Sequence, residues 1–148
     1  MKIRLLIDPS RSKQIQEELE TLGIEIDDQA DLILMEKNTN LRFIQGKKRD
    51  QVFFIDIHDI LYFETLGHDL IIHTMDERYT SNERLKNIEV MVGGNDFLRI
   101  SNSVIVSIKH IKRIEASLFQ KFILHLTNGD KVDVTRSYYY IFKNRIGI

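Results

Sequence analysis

Apolar and polar positions alternate along most of this chain, and the spacing turns helical in only three places. Residues 1–7 put Ile3, Leu5 and Ile7 on one side of an extended segment. Asp8-Pro9 then suits a helix start, with a carboxylate at the N-cap and proline at the first helical position. Ile15, Leu19 and Leu22 follow at helical spacing, and Gly23 is placed to end the helix. Residues 24–26 and 31–36 read as two more short strands. The first forty residues therefore predict a small β-α-β-β unit, too short to bury much core.

Lys37-Asn38-Thr39-Asn40 is a polar connector and the expected boundary between a 1–40 unit and a 41–148 domain. Strand patterns follow at 41–45, 51–55, 60–65, 69–75 and 78–80, with a charged turn at 46–50 and a helical turn at 56–59. Ser81 or Asn82 can cap a helix running to about Val92, with Leu85, Ile88 and Val92 on one side and Gly93-Gly94 ending it. Residues 97–108 are two apolar arms around Ser101-Asn102-Ser103, read as two strands meeting at a turn. Further strands fall at 111–115 and 118–126. Asn128-Gly129 marks a hairpin in which both residues tolerate φ > 0. Phe122, Leu124, Leu126, Val132 and Val134 share one side of that hairpin, and Ser137 can cap a last helix, 138–146, that returns Phe142 and Ile146 to the core. The body is predicted to be mainly antiparallel β, with about ten strands and two short helices.

Charge divides at the same boundary: residues 1–40 carry a net −4 and residues 41–148 a net +3, within an overall −1. An acidic head on a mildly basic body is compatible with nucleic-acid binding by the body. The absence of cysteine excludes disulfides, thiolate metal sites and a cysteine nucleophile. The first apolar run stops at Asp8-Pro9, too short for a signal-peptide core, and no later run reaches a membrane-spanning length, so a cytoplasmic location is expected.

Residues 31–36 are similar to the third strand of a response-regulator receiver, with Glu36 in the place of the phosphoaccepting aspartate. The acidic pair after the first strand is absent and the unit is about a third of a receiver's length. It reads instead as a short strand packed on the helix.

No catalytic machinery emerges. The histidines at 58, 68, 73, 110 and 125 lack metal-ligand spacing, and no phosphate loop, nucleophile elbow or zinc-protease motif is present. The pairs Asp56/Asp59 and Asp27/Asp28 read as capping or solvated carboxylates. No catalytic residue, metal or cofactor is therefore expected. What stands out is three polar tips at strand ends: Leu66-Gly67-His68-Asp69, Ser101-Asn102-Ser103 and Thr135-Arg136-Ser137. Each is explained as an ordinary turn, or as donors and acceptors presented by a rigid scaffold.

A family pattern covers the body. Asp59-Ile60-Leu61-Tyr62-Phe63-Glu64, then Leu85-Lys86-Asn87-Ile88-Glu89, then Phe97-Leu98-Arg99-Ile100 through Ser103-Val104-Ile105-Val106, then Asn128-Gly129 and Thr135-Arg136-Ser137-Tyr138-Tyr139 occur in order. Together they make 41–148 resemble the LytTR family of DNA-binding domains, which bacterial transcription regulators carry, often behind a receiver. The resemblance implies an elongated, mainly β domain that puts loops into successive major grooves of double-stranded DNA. It implies base contacts from His68, Asn102 and Arg136, and backbone contacts from Arg99, Ser103, Tyr139 and Lys143. Ser101 and Ser107 depart from the common pattern, where histidine and asparagine are frequent. The expected function is sequence-specific transcription regulation without catalysis, by a homodimer on paired half-sites. The 1–40 head is expected to be a dimerisation element or the dock for a regulatory protein, not a phosphorylation switch. The rival reading is a β-rich protein-interaction module whose polar tips are turns and nothing more.

Overall fold

The computed structural model describes residues 1–36, 41–93 and 96–148. The predicted connector at 37–40 and the second glycine of the Gly93-Gly94 stop lie outside them. The chain separates into two compact units, Met1–Asn40 and Leu41–Ile148.

The head is a β-α-β-β unit: β1 (Lys2–Leu6), α1 (Pro9–Thr21), β2 (Glu25–Ile26) and β3 (Leu32–Met35). Its sheet is parallel, ordered β2-β1-β3. Asp8 caps α1 by accepting from the Ser10 backbone N–H at 2.8 Å, and its bonds from Ser10 hold its carboxyl below the usual range. Pro9 opens the helix and Gly23 follows the C-cap at φ 80°. Helix α1 buries none of its residues, and Ile3 and Ala30 are the buried apolar side chains among those described in this unit. That is the thin core expected of forty residues. Glu36, just past β3, accepts from the Asp8 backbone N–H at 3.1 Å and lies 3.5 Å from the Arg11 guanidinium.

The body holds ten strands among its described residues. Seven form one antiparallel sheet: β4 (Phe43–Lys48), β5 (Gln51–Asp56), β6 (Ile60–Leu66), β7 (Asp69–Thr74), β8 (Arg78–Ser81), β9 (Phe97–Arg99) and β10 (Val104–Ser107), ordered β5-β4-β8-β7-β6-β10-β9. Three form a second: β11 (Ile111–Ser117), β12 (Lys121–Leu126) and β13 (Lys131–Val134). Helix α2 (Leu85–Val92) lies against β6, β9 and β10. Helix α3 (Tyr139–Ile146) closes the chain. The core is built where period-2 alternation turns Tyr62, Val104 and Val106 to one face of the large sheet, against Phe122, Leu124, Leu126, Val132 and Val134 of the small one. Phe142, fully buried, brings α3 onto this layer, its ring 5.5 Å from that of Phe122.

Four predicted boundaries move, each for a local reason. Strand β4 runs on through Gly46-Lys47-Lys48, so the charged turn shrinks to Arg49-Asp50, at φ 50° and 61°. A side chain on Gly46 would collide with Ile55 and Tyr79, which explains a glycine inside a strand. Helix α2 starts at Leu85 after Arg84, because Ser81 is committed to β8 opposite Leu70. The predicted 118–126 strand begins at Lys121, after a three-residue turn, 118–120, in which Phe119 and Gln120 take φ 64° and 56°. Before α3, Arg136–Tyr138 make a 3-10 turn and Ser137 does not cap.

The Asn128-Gly129 hairpin forms, but only Gly129 takes positive φ, at 91°. Its N–H donates to the Leu126 carbonyl and the Leu126 N–H to the Asp130 carbonyl, giving a three-residue loop. Asn128 brackets Asp130, and the Tyr62 hydroxyl donates to the same Asp130 carboxylate at 3.0 Å. The turn thereby fastens the small sheet to the large one. Burial and this carboxylate push the Tyr62 phenol well above its ordinary range. His73 stacks on Tyr62 at 3.9 Å, with Nε2 3.1 Å from Glu64 Oε1.

Two expectations follow. Phe142→Ala should cost about 3–5 kcal/mol, read from urea unfolding, because it opens a cavity between α3 and the small sheet. The second concerns acid. Burial holds the His73 pKa below its ordinary value, despite the opposing pull of Glu64. The unfolded histidine then protonates first as pH falls, so stability is full above about pH 6.5 and declines below it, until the folded histidine also protonates. His73→Phe, which keeps a ring on Tyr62, should flatten the fall between about pH 7 and pH 5. An unchanged slope would assign the acid sensitivity to other groups.

Candidate nucleic-acid interface

The three polar tips are not independent turns. The middle one, Ser101-Asn102-Ser103, has neighbours on four successive carbonyls. Ile100 O accepts from the Thr135 N–H at 3.0 Å, and Thr135 Oγ1 is 3.5 Å away. The Ser101 and Asn102 carbonyls accept from Arg99 Nε and Nη2 at 3.1 and 2.8 Å. Ser103 O accepts from the Thr65 N–H at 2.8 Å, with Thr65 Oγ1 at 3.3 Å. Thr65 stands just before the His68 tip and Thr135 just before Arg136, so both outer tips are tethered to the middle one.

Inside the turn, the Ser101 hydroxyl accepts from the Ser103 N–H at 3.2 Å and is 3.3 Å from the Ser103 hydroxyl. Ser101 and Ser107 are both buried, Ser101 within the turn and Ser107 at the far end of β10, opposite Phe97. The Tyr138 hydroxyl donates to Asn102 Oδ1 across 3.4 Å, a second bridge between the middle tip and the Arg136 turn.

The candidate base-contacting residues, His68, Asn102 and Arg136, are all exposed. Gly67 supports His68 by taking φ 63° at the first position of a two-residue hairpin turn, closed by the Leu66–Asp69 pair. The candidate backbone-contacting residues are half-buried. Arg99 has Nη1 3.6 Å from Glu89 and three N–H groups beyond the two engaged by carbonyls. The Tyr139 ring stacks on Phe122 at 4.7 Å, leaving its hydroxyl as the polar end, and Lys143 Nζ lies 5.8 Å over the same ring. Sequence alone does not single out Thr65, Thr135 or Tyr138 as supports of the tips. Their only signal there is a hydroxyl-bearing residue within three positions of each outer tip.

Among the described residues, no three His, Asp or Glu side chains come together to hold a metal ion. Among the same residues, no helix is long and apolar enough to cross a membrane.

The body is thus a β domain that joins three exposed polar tips through one turn. The LytTr DNA-binding domain model matches residues 50–147, and the chain belongs to that family. Transcriptional regulatory protein LytR of Staphylococcus aureus strain N315 is 31% identical over 99 residues, covering 67% of this chain and 40% of that protein. Sensory transduction protein LytR of Staphylococcus haemolyticus is 26% identical over 134 residues, 90% of this chain and 50% of that one. Sensory transduction protein LytT of Bacillus subtilis is 29% identical over 89 residues, 60% and 37% respectively. The matched segments thus span half or less of these relatives. The fold is shared with a solved LytTr DNA-binding domain from Bacillus cereus, at TM-score 0.71 and 24% identity, over 74% of this chain and 100% of that one.

Arg99→Lys tests the tether. A lysine keeps the charge but cannot span two carbonyls, so the amides of residues 102–104 should exchange faster, with a stability loss of about 1 kcal/mol. Unchanged exchange would show that the turn holds without the guanidinium.

Proposed function

We propose that the chain is a sequence-specific regulator of transcription that binds double-stranded DNA as a homodimer on paired half-sites. Two observations support this: membership of the LytTr DNA-binding domain family, and the tethering of all three exposed tips to one turn. Tips held together present one recognition surface, whereas separate flexible turns would each lose ordering entropy on binding. Arg136 suits the O6 and N7 acceptors of guanine, Asn102 suits N6 and N7 of adenine, and His68 offers one donor or acceptor. In Asn102, the bond from Tyr138 occupies one lone pair of Oδ1 and leaves the amide N–H groups and a second lone pair for the base. The remaining N–H groups of Arg99, the hydroxyls of Ser103 and Tyr139, and the Lys143 ammonium serve phosphates, which fix register without reading sequence. The 1–40 head, with few buried apolar residues, serves as a dock for a regulatory protein or adds to the dimer contact. Glu36 is tied to the start of α1 and is not a phosphoacceptor in this reading.

The test is DNA binding across sequence and salt. A genomic fragment carrying the operator should shift with a steep salt dependence, whereas salt-insensitive capture of a protein partner alone would favour the interaction-module reading. Arg136→Ala and Asn102→Ala should each cost about 1–3 kcal/mol on the operator and much less on random DNA. Lys143→Ala should weaken both DNAs alike and lower the salt slope by about one. Equal losses on both DNAs for Arg136→Ala would move that residue to the phosphates.

A further inference from the structure

The seven-stranded sheet ends at β5, an edge without proline, bulge or any charge before Asp56. Its first five residues, Gln51-Val52-Phe53-Phe54-Ile55, contain no charge and no proline. Its register against β4 is unbroken from Phe43↔Asp56 to Lys48↔Gln51, so no bulge turns the edge away. Phe54 is 68% exposed, Val52 53% and the neighbouring Phe43 44%, and alternation puts all three on one face.

The direction of the free backbone groups follows from the pairing. Ile57 N–H donates to Arg42 O, which makes 42/57 a hydrogen-bonded pair. Antiparallel pairs alternate, so Ile44/Ile55, Gly46/Phe53 and Lys48/Gln51 are bonded as well. Val52, Phe54 and Asp56 therefore point their N–H and C=O groups outward, away from β4.

We propose that this edge pairs with the same edge of a second copy, antiparallel, about a two-fold axis at Phe54. Outward residues must face one another, which puts the axis at a residue, and a long overlap of residues 52–56 leaves Phe53 or Phe54. At Phe53, Asp50 would face the partner copy's Asp56, like charge on like. At Phe54 the one charge pair is favourable: the Arg49-Asp50 turn of each copy meets the His58-Asp59 turn of the other, Arg49 toward Asp59 and Asp50 toward the His58 ring. Lys109, whose ammonium donates to His58 Nδ1 at 2.8 Å, adds positive charge opposite Asp50. About six main-chain hydrogen bonds then join the copies, from the 54/54 pair and the two 52/56 pairs. Phe43, Val52 and Phe54 of both copies make one apolar strip. Each copy's β5 edge is consumed, so this contact closes at two.

The inference rests on the homodimer reading above and names its surface. The chain has no cysteine, so Phe54→Cys introduces a lone thiol. Across the axis two such residues have Cα atoms about 5.5 Å apart, inside the disulfide range. Mild oxidation of full-length Phe54→Cys should give a disulfide-linked dimer on a non-reducing gel. Val52→Cys, whose counterpart lies about four residues away along the paired strands, should cross-link at least about tenfold more slowly.

In sedimentation, Arg49→Asp and Asp59→Arg should each weaken self-association by about tenfold or more, and an equimolar mixture of the two should restore it. Dimers indifferent to both reversals, with the Phe54→Cys chain linking no faster than the Val52→Cys chain, would overturn this surface and leave the homodimer reading standing. A wild-type chain monomeric at high micromolar concentration would overturn both. The operator-binding test reads DNA recognition independently of either result.

Discussion

The arrangement of the three exposed polar tips depends on one tight turn whose backbone carbonyls are all occupied. A turn of small polar residues at the end of two short strands would ordinarily be a soft spot, because its backbone has no ladder to satisfy it. Here Ile100, Ser101, Asn102 and Ser103 each give a carbonyl to a donor outside the tip itself. Two of those donors belong to the strand ends that lead to the outer tips, so ordering the middle turn orders the whole set. The Arg99 fork does what no lysine can, since its two N–H directions match two consecutive carbonyls. Glu89 on α2 holds the same guanidinium from the other side, which connects the turn to the helix beneath the sheet.

The body supports this arrangement through layered packing. The large sheet receives α2 on one face and the small sheet with α3 on the other, and the join is both apolar and polar. Phe142 and Phe122 supply the apolar part, and the Tyr62–Asp130 hydrogen bond the polar part. Because Arg136 and Tyr138 sit between β13 and α3, any slippage of the small sheet would move the Arg136 tip relative to Asn102. Core packing and site geometry are therefore one problem in this domain.

The edges tell a different story. Strand β5 leaves outward-facing backbone groups and the apolar side chains of Val52 and Phe54 exposed on a regular edge with no charge before Asp56, a combination that natural sheets usually avoid. In the proposed self-pairing, the register centred on Phe54 sets Arg49 of each copy toward Asp59 of the other.

By itself, the sequence determined most of the element order. Period-2 alternation and short β-rich apolar runs located the ten body strands, the first because a half-buried strand places every second side chain in the core, the second because strands such as β10 are buried on both faces. Asp8-Pro9 and Gly23 bounded α1, because their preferences are local and backbone-encoded. The three tips were also legible, as polar interruptions at strand ends. The tertiary structure decided what local chemistry leaves open. Ser81 was drawn into β8 by Leu70 across the ladder and lost its role as a helix cap. Arg49-Asp50 and Phe119-Gln120 took the positive-φ turns, while Asn128 did not, because strand register imposed the loop lengths. The tethering of the three tips was invisible in the chain order. Thr65 lies 38 residues from Ser103 and Thr135 lies 35 from Ile100, so only the folding of the sheets could bring those hydroxyls and amides to one turn.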